Sequence, residues 1–211
     1  MMGHEEHRKR HKCERVMKKG VVVLAACGVL AFVGRRNYLQ IAGTRADAKM
    51  EPLKALAEKI DWKRLMGSWY VVGVIPTPFD RNCYNAVETY TQVKETSKMQ
   101  VTFKQQAGSF DAPVKTMYQD GKVVNEYGTE WKVRPVFAGG WIKFPFWLPY
   151  IIIEADTADY SYFVVGYPDR RFLWIMSREP SLANYDEIVK RCATEYNYDV
   201  SRIWKVPHQT Q

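Results

Sequence analysis

The chain has 211 residues, of which 46% are hydrophobic and 26% are charged, and its formal net charge is +8. This length and apolar content suit one globular domain with a full core and a tail. Half of the net charge lies in residues 1–20, which hold seven Lys or Arg against three Glu, so the rest of the chain lacks the concentrated basic stripe of a nucleic-acid-binding protein.

The basic start leads into an uncharged apolar segment, residues 21–33. A helix of this length rises roughly 20 Å, less than the ~30 Å hydrocarbon core of a bilayer, so the segment resembles a secretory signal more than a spanning helix. Leu24 to Cys27 resembles the lipobox of bacterial lipoproteins, so lipidation of Cys27, an uncleaved signal anchor and ordinary cleavage all stay open. We expect residues 1–34 to place the protein at a membrane, in an extracytoplasmic or lumenal location.

Residues 35–60 are interpreted as a linker that carries no visible chemistry. The linker ends in a modest predicted helix over residues 50–60, where Pro52 suits the first turn. The predicted folded domain follows at residues 61–207, and residues 208–211 form a short polar tail.

The stretch DWKRLMGSWYVVGVI, residues 61–75, is a turn-prone lead-in followed by an apolar strand. Gly67 stands where the lead-in enters the strand, and a residue without Cβ lets backbone pass closely there. Alternation along the strand predicts that Trp69 faces an interior. The side chains of the other parity, Tyr70, Val72 and Val74, are then expected to face outwards. A later strand combines large apolar groups with a cation on one face, in Trp174, Met176 and Arg178. An Arg on such a face usually lies over an aromatic ring.

From Asp61 onwards the pattern is almost entirely that of β-structure. We predict strands at residues 69–75, 84–93, 99–105, 114–119, 122–133, 141–144, 150–155, 160–166 and 172–177. Turn signals separate these runs, and Asp120-Gly121 is typical of a two-residue hairpin. Many short strands without intervening helices predict an all-β sandwich or closed barrel.

A single helix is predicted late in the chain, over residues 184–196. Asn184 is placed to cap it, with Glu187 reaching back as in a capping box. The apolar residues fall on one stripe, formed by Tyr185, Ile188, Val189, Cys192 and Tyr196. A helix with one apolar stripe is expected to lie on the outside of the sheet, and a short strand at residues 203–206 follows it.

The sequence offers little to catalysis or to metal binding. There is no histidine between His11 and His208, no glycine-rich phosphate loop follows a strand, and no cofactor is expected. The N-terminal cluster of His4, His7, His11 and Cys13 is more simply a basic tail than a metal site. Cys192 lies on the apolar helix stripe, where burial makes a thiol inert, so Cys83 is the candidate nucleophile.

Three short motifs carry a family resemblance: Gly67-Ser68-Trp69, Ala158-Asp159-Tyr160 and Leu173 to Arg178. In this order and spacing they resemble the signatures of the lipocalins, and the similarity is strongest to the branch of apolipoprotein D and the bacterial outer-membrane lipocalins. It covers residues 61–207. The resemblance marks five structural residues, Gly67, Trp69, Asp159, Tyr160 and Arg178.

The resemblance implies an all-β fold: an eight-stranded antiparallel up-and-down barrel, with one C-terminal helix packed outside and a closed end where Trp69 packs under Arg178. The family pattern directs Tyr90, Trp174 and Met176 into a ligand cavity. Alternation adds Val71, Phe103 and Trp131. Glu88 shares the parity of Tyr90, and an inward carboxyl is expected to titrate high or to pair with a ligand head group.

The function implied by the resemblance is binding and transport or storage of a small hydrophobic ligand, such as a fatty acid or lysophospholipid, at a membrane and without catalysis. The alternative is a thiol-dependent lipocalin enzyme, an isomerase or peroxide-reducing protein, that uses Cys83. Cys83 also falls where this branch has a disulfide cysteine, but the usual partner has no counterpart after Cys192. A bridge between the two cysteines stays open, and we favour both being free.

The barrel topology places the first, third, fifth and seventh connections at the open end. The fifth is aromatic and apolar throughout residues 144–149, which is unusual for a loop that faces water. We therefore expect the open rim to face the bilayer, with its aromatic residues at the headgroup level. The alternative is that Phe146 and Trp147 fold inwards as a lid.

Overall fold

The computed structural model describes residues 50–137 and 140–209. Its strands are β1 Gly67–Ile75, β2 Cys83–Gln92, β3 Lys98–Ala107, β4 Val114–Val123, β5 Glu130–Phe137, β6 Ile142–Lys143, β7 Leu148–Ala155, β8 Tyr162–Gly166, β9 Leu173–Ser177 and β10 Trp204–Lys205. The helix α1 spans Tyr185–Thr194, and 3₁₀ turns lie at Trp62–Leu65 and Val200–Arg202.

Eight of these strands close into a barrel. Antiparallel pairing runs from β1 to β5, continues through β7, β8 and β9, and returns to β1. The short strands stand outside this circuit, because β6 pairs with β5 while β10 pairs with the half of β1 that β2 leaves free. Closure removes the open edges that an antiparallel sheet must otherwise protect. The predicted eight-stranded up-and-down barrel with one C-terminal helix is confirmed.

Alternating burial identifies the strand faces that point into the barrel. On β3 the buried positions are Met99, Val101, Phe103 and Gln105, with more exposed residues between them. This period of two follows from the pleat of a strand, which sends successive side chains to opposite faces. Every strand of the closed circuit contributes buried side chains to the resulting apolar cluster. The core of the molecule therefore lies inside the barrel.

Strand β1 departs from strict alternation. Trp69 and Val71 point into the barrel and Tyr70 and Val72 lie on the outer side, as predicted. The register of β1 with β9 then shifts just after Val71. Val74 was predicted to face outwards but belongs to the barrel core, because the bulge advances the alternation by one residue.

The predicted hairpin turn at Asp120-Gly121 is wrong. Both residues lie inside β4, where Gly121 pairs with Met99 of β3. A Cβ on Gly121 would come within 2.7 Å of Met99 Cγ. This glycine therefore permits close packing across the strand pair and does not form a turn.

The chain turns instead at residues 124–129, so the predicted strand 122–133 is interrupted. Asn125 Oδ1 accepts two backbone N–H groups of this turn, each at 3.0 Å. Gly128 adopts φ +77°, a left-handed conformation that glycine reaches without strain. The turn is thus specified by the side chain of Asn125 and by Gly128, which lie four and seven positions beyond Gly121.

Helix α1 lies against the outside of the barrel, as predicted. Its side chains Tyr185, Ile188 and Cys192 are buried in a second apolar cluster, together with outward-facing residues of β1, β7, β8 and β9. The predicted capping box does not form, because Asn184 makes no side-chain hydrogen bond at the helix start. Burial of Tyr185 holds the first turn against the barrel wall.

Residues 50–60 do not form the predicted helix. Residues 51–60 make a strap on the barrel, and their N–H groups donate from Leu53 to Pro168, from Leu56 to Ile152 and from Ile60 to Tyr127. Leu53 and Ile60 are also buried, so tertiary contacts satisfy both the backbone and the apolar side chains that a free helix would leave exposed. Strap and barrel belong to one compact unit that begins at Glu51.

Two short elements differ in length from the prediction: the strands expected at residues 141–144 and 203–206 reduce to β6 and β10. Within residues 50–137 and 140–209, no helix is both long and apolar enough to cross a membrane. The predicted signal or anchor at residues 21–33, with Cys27, lies outside the described residues, and so does the basic tail before it.

Candidate functional site

The floor of the barrel is built on two of the signature residues. Arg178 places its guanidinium carbon 3.6 Å from the centroid of the Trp69 ring. The guanidinium also donates to three backbone carbonyls, those of Arg64, Met66 and Ser68. Trp69 is fully buried and donates its indole N–H to Leu65 O at 2.8 Å. One cation thus ties the lead-in of β1 to the end of β9 and closes this end of the barrel.

The remaining signature lies in the β7–β8 connection. Tyr160 adopts φ +56°, and its hydroxyl accepts the N–H of Asp61 at 2.8 Å. Asp159 is exposed, whereas Asp156, which sequence reasoning missed, organises this turn. The Asp156 carboxylate accepts the backbone N–H groups of Ala158, Asp159 and Ser161. Hydrogen bonds from Ser161 and from the turn backbone lower the pKa of Asp156.

Three aromatic rings stack inside the barrel. Tyr150 lies between Trp131 and Trp174, with 5.9 Å between ring centroids on each side and interplanar angles of 20° and 28°. Tyr90 meets Trp131 edge to face at 5.5 Å. Offset stacking and edge-to-face contact are the favoured aromatic geometries, so these side chains form a mutually packed aromatic lining.

Glu88 projects from β2 into this aromatic lining. Its Oε2 accepts the hydroxyls of Tyr90 at 2.8 Å and Tyr150 at 3.2 Å, and its Oε1 lies 3.4 Å from Gln119 Nε2. Burial raises the pKa of Glu88 to about 7, although the two tyrosine hydrogen bonds oppose the rise. Burial also raises the pKa values of both tyrosines well above their usual range. The carboxyl therefore faces inwards and titrates high, as the alternation indicated.

The β1–β2 connection, residues 76–82, is tied to side chains of the barrel interior. The Asp80 carboxylate accepts the indole N–H of Trp174 at 2.9 Å and is only 5% exposed. Phe79 O accepts Gln105 Nε2 at 2.6 Å. Burial raises the pKa of Asp80, against the hydrogen bonds from Thr77 and Trp174. This connection thus covers the end of the barrel opposite the Trp69 floor.

All seven predicted ligand contacts point into the barrel: Val71, Glu88, Tyr90, Phe103, Trp131, Trp174 and Met176. Their contact with a ligand stays a prediction. Sequence reasoning missed Tyr150, Gln105 and Asp80. Tyr150 and Gln105 share the interior parity of their strands, so alternation was a sufficient signal for both. Asp80 lies in a connection, where no periodicity marks the direction of a side chain.

Neither described cysteine is placed as a nucleophile. Cys83 is fully buried, and burial with the nearby Asp80 charge raises the pKa of its thiol to about 12. Burial likewise raises the pKa of Cys192 to about 12. The two are unpaired, with Cys83 in the barrel core and Cys192 in the cluster under α1. The barrel wall separates them, so the alternative of a disulfide between them is not realised.

The fifth connection exposes aromatic side chains at the open end. Trp141 is 90% exposed and Phe146 is 67% exposed. Trp147 does not fold into the barrel as the lid alternative required, because its ring centroid lies 4.4 Å from Lys122 Nζ and 4.5 Å from the guanidinium carbon of Arg134. Both cations stand on the outer face of the β4–β5 pair, since they alternate with interior residues.

A closed eight-stranded barrel with an Arg–Trp floor, an aromatic interior and one external helix defines a lipocalin-type protein. The family model for the lipocalin-like domain matches residues 60–208, and the chain belongs to this family. Lipocalins in general bind small hydrophobic ligands.

Characterised relatives are similar at low identity. The temperature-induced lipocalin-1 of Arabidopsis thaliana is 27% identical over 173 residues, which cover 75% of this chain and 83% of that protein. The outer membrane lipoprotein Blc of Escherichia coli K12 is 29% identical over 155 residues, covering 71% of this chain and 80% of Blc. These relatives include the bacterial outer-membrane branch that the sequence motifs indicated.

Among solved structures, insecticyanin from the tobacco hornworm Manduca sexta superimposes with a TM-score of 0.58 at 14% identity, covering 74% of this chain and 85% of that one. At this identity the likeness supports the fold alone. It agrees with the closed barrel and external helix described above.

Proposed function

We propose that this protein binds one small hydrophobic ligand inside its barrel, for transport or storage. The observation that carries the proposal is the aromatic lining of a closed barrel, in which Trp131, Tyr150 and Trp174 stack and all seven predicted contact residues point inwards. Apolar walls with a few placed polar groups are typical of small-molecule sites. Fatty acids and lysophospholipids are the candidates that the sequence resemblance supplies.

Binding without chemistry is the better supported reading. The thiol alternative requires Cys83 to ionise, and its pKa of about 12 leaves almost no thiolate near neutral pH. Within the residues that the structure describes, no cluster of three or more His, Cys, Asp or Glu side chains is arranged to hold a metal ion. We therefore assign Cys83 a packing role in the barrel core.

We further propose that the protein acts at a membrane in an extracytoplasmic or lumenal compartment. Two features support this location: the apolar segment at residues 21–33, and the exposed Trp141 and Phe146 at the open end of the barrel. Large exposed aromatic groups at one end of a barrel suit the headgroup level of a bilayer. The relative in Escherichia coli is itself an outer membrane lipoprotein.

Native mass spectrometry of the protein purified without detergent tests the proposal. We expect a co-purifying adduct with the mass of one small hydrophobic molecule, and Trp131→Ala with Trp174→Ala should reduce its occupancy. The matched control is Trp141→Ala, which removes an exposed indole and should leave occupancy unchanged. An empty barrel that also fails to take up added fatty acid, lysophospholipid, alkyl alcohol or alkylamine would contradict the proposal.

A further inference from the structure

The fully buried charged side chains that face the barrel interior, among the described residues, are acids. Asp80 and Glu88 are buried at 5% exposure each, and Gln105 is buried at 4%. Among residues 50–137 and 140–209, no Lys, Arg or His side chain is buried to this degree. Lys115 pairs with Gln105 across the β3–β4 register but is exposed at the mouth, so a ligand deeper in the barrel meets carboxyl and amide oxygens without a buried cation.

Two of these interior oxygens still have capacity to accept hydrogen bonds. Glu88 Oε2 accepts two tyrosine hydroxyls, but Oε1 has only the long 3.4 Å contact from Gln119 Nε2. Gln105 donates its amide N–H to Phe79 O, while its own Oε1 is buried without a hydrogen-bond partner. A buried acceptor that lacks a donor is costly, so both atoms favour a ligand that donates.

Strand register places these acceptors in a row that leads from the interior towards the mouth. Glu88 pairs with Phe103, and Gln105 lies two residues further along β3, roughly 7 Å nearer the open end. Asp80 stands beyond them, in the connection that covers the mouth. The row therefore follows the path along which a ligand enters.

Aromatic faces border this row of acceptors. Tyr150, whose hydroxyl bonds Glu88, stacks between Trp131 and Trp174, and the Trp174 indole N–H bonds Asp80. Aromatic faces attract cations because the ring quadrupole places negative charge there. A carboxylate beside such faces is complementary to a positively charged nitrogen on an apolar body.

We propose that the barrel selects apolar amines: ligands with a hydrocarbon body and a protonated amino group that donates to Glu88 Oε1 and Gln105 Oε1. This inference rests on the proposed function, since it requires a ligand inside the barrel, and it narrows the ligand class. A fatty acid would bring a further carboxylate towards Asp80 and Glu88 with no buried cation to pair it. An amine supplies both the charge and the N–H donors that the interior lacks.

The test compares the affinities of the full chain for an alkylamine, an alkanol and an alkanoate of equal chain length. Binding is measured by the change in fluorescence of the interior tryptophans at about pH 8, where an alkylamine is still protonated. We expect the amine to bind at least about tenfold tighter than the alkanoate, with the alkanol between them. The net charge of +8 would by itself attract the anion, so the opposite order has to come from the barrel interior.

Glu88→Gln should abolish the preference for the amine while retaining alkanol binding. Glu130→Gln, which alters an exposed carboxyl on β5, is the matched control and should behave as the unmodified protein. Near-UV circular dichroism checks that Glu88→Gln is folded. If this variant does not fold, the order of affinities of the three probes for the unmodified protein decides whether the barrel prefers amines. Equal binding of all three probes, or tightest binding of the alkanoate, overturns the amine inference but leaves the proposed function standing. Binding of none of them overturns both.

Discussion

Glu88 links the stability of the barrel to pH. Its pKa is raised to about 7 in the folded protein from an ordinary value of 4.5, so the folded state holds a proton that the unfolded chain releases between these values. Stability contributed by this group is therefore highest in acid and falls as pH rises from about 4.5 to about 7. The groups that contact or act on it are Tyr90, Tyr150, Gln119 and Asp80.

We accordingly predict that Glu88→Gln is more stable than the unmodified protein above about pH 8 and similar to it near pH 4.5. The difference should approach roughly 3 kcal/mol, because the pKa rises from 4.5 to about 7 and one unit of pKa corresponds to ~1.4 kcal/mol. Urea denaturation of both proteins at the two pH values measures it. A difference that does not change with pH would show that Glu88 titrates normally.

At the barrel floor, Trp69 and Arg178 should be energetically coupled. Trp69→Ala is expected to cost roughly 3 to 5 kcal/mol as a large-to-small core change. Arg178→Met should cost about 2 kcal/mol, since it removes the ring contact and three carbonyl hydrogen bonds. Denaturation of both single variants and the double variant gives the coupling.

The control for this cycle pairs Trp69→Ala with Arg134→Met. Arg134 lies on the outer face of β5 and bonds Asp120, so it shares no hydrogen-bond or ring contact with Trp69 among the described residues. That pair should be additive within about 0.5 kcal/mol. Full additivity of Trp69→Ala with Arg178→Met would mean that the stacking contributes nothing.

Among the elements of the fold, the strap at residues 51–60 is the one whose conformation depends most on tertiary contact. Its N–H groups donate to carbonyls of the barrel, and it passes close to the turn between β4 and β5. A Cβ on Gly128 would meet Ile60 O at 2.9 Å. The strap can therefore dock only where this turn carries no side chain.

We predict that Gly128→Ala destabilises the protein by more than Gly108→Ala. Both glycines have left-handed backbone, with φ +77° and φ +90°, so both substitutions carry similar strain of ~1 kcal/mol or more. Gly108 has open space around its Cβ position, whereas Gly128 has the strap. Thermal denaturation measures the loss of stability of each variant. Equal losses of stability would show that the strap moves away from the added methyl group without an energetic penalty.

For the whole molecule, the proposed orientation on a membrane is testable through Trp141. In vesicles that contain brominated lipid, the full chain should lose part of its tryptophan fluorescence, because bromine quenches an indole at the headgroup level. Trp141→Phe keeps an aromatic group but removes the reporter, so the quenched component should disappear. Trp62→Phe at the closed end is the control and should leave quenching unchanged. Absence of quenching in the unmodified protein would rule out docking by the rim.

Attachment of the chain itself is predicted to depend on residues 21–33. The full-length protein should fractionate with membranes. Cys27→Ser separates the two modes of attachment, since it releases the protein if the cysteine is lipidated and leaves it attached if the apolar segment is an anchor. Recovery of the protein in the aqueous fraction would contradict both modes of attachment, and loss of the first residues from that protein would indicate ordinary cleavage.

Local patterns in the sequence were sufficient for an all-β domain with one external helix, while the family resemblance selected the eight-stranded barrel and the inward direction of Tyr90, from which alternation gave those of Glu88 and Trp131. The local patterns are strand alternation and a helical stripe, which short runs of side chains determine by themselves. The motifs around Trp69 and Arg178 likewise indicated the floor, because both residues lie at the ends of recognisable strands. Ligand contact by the interior residues stays a prediction.

Tertiary structure decided what depends on neighbours distant in the chain. Asp120-Gly121 has the sequence of a turn, but Gly121 lies within β4, where Met99 of the facing strand occupies the space that a Cβ would need. Val74 faces the interior because a bulge shifts the register of β1 against β9. Residues 51–60 form hydrogen bonds to the barrel where the sequence predicted a helix. The Asp80 carboxyl is buried in the β1–β2 connection, where it accepts the indole N–H of Trp174, a residue distant in the chain. Local propensity amounts to less than about 1 kcal/mol per residue, so such contacts override it wherever the closed barrel brings them together.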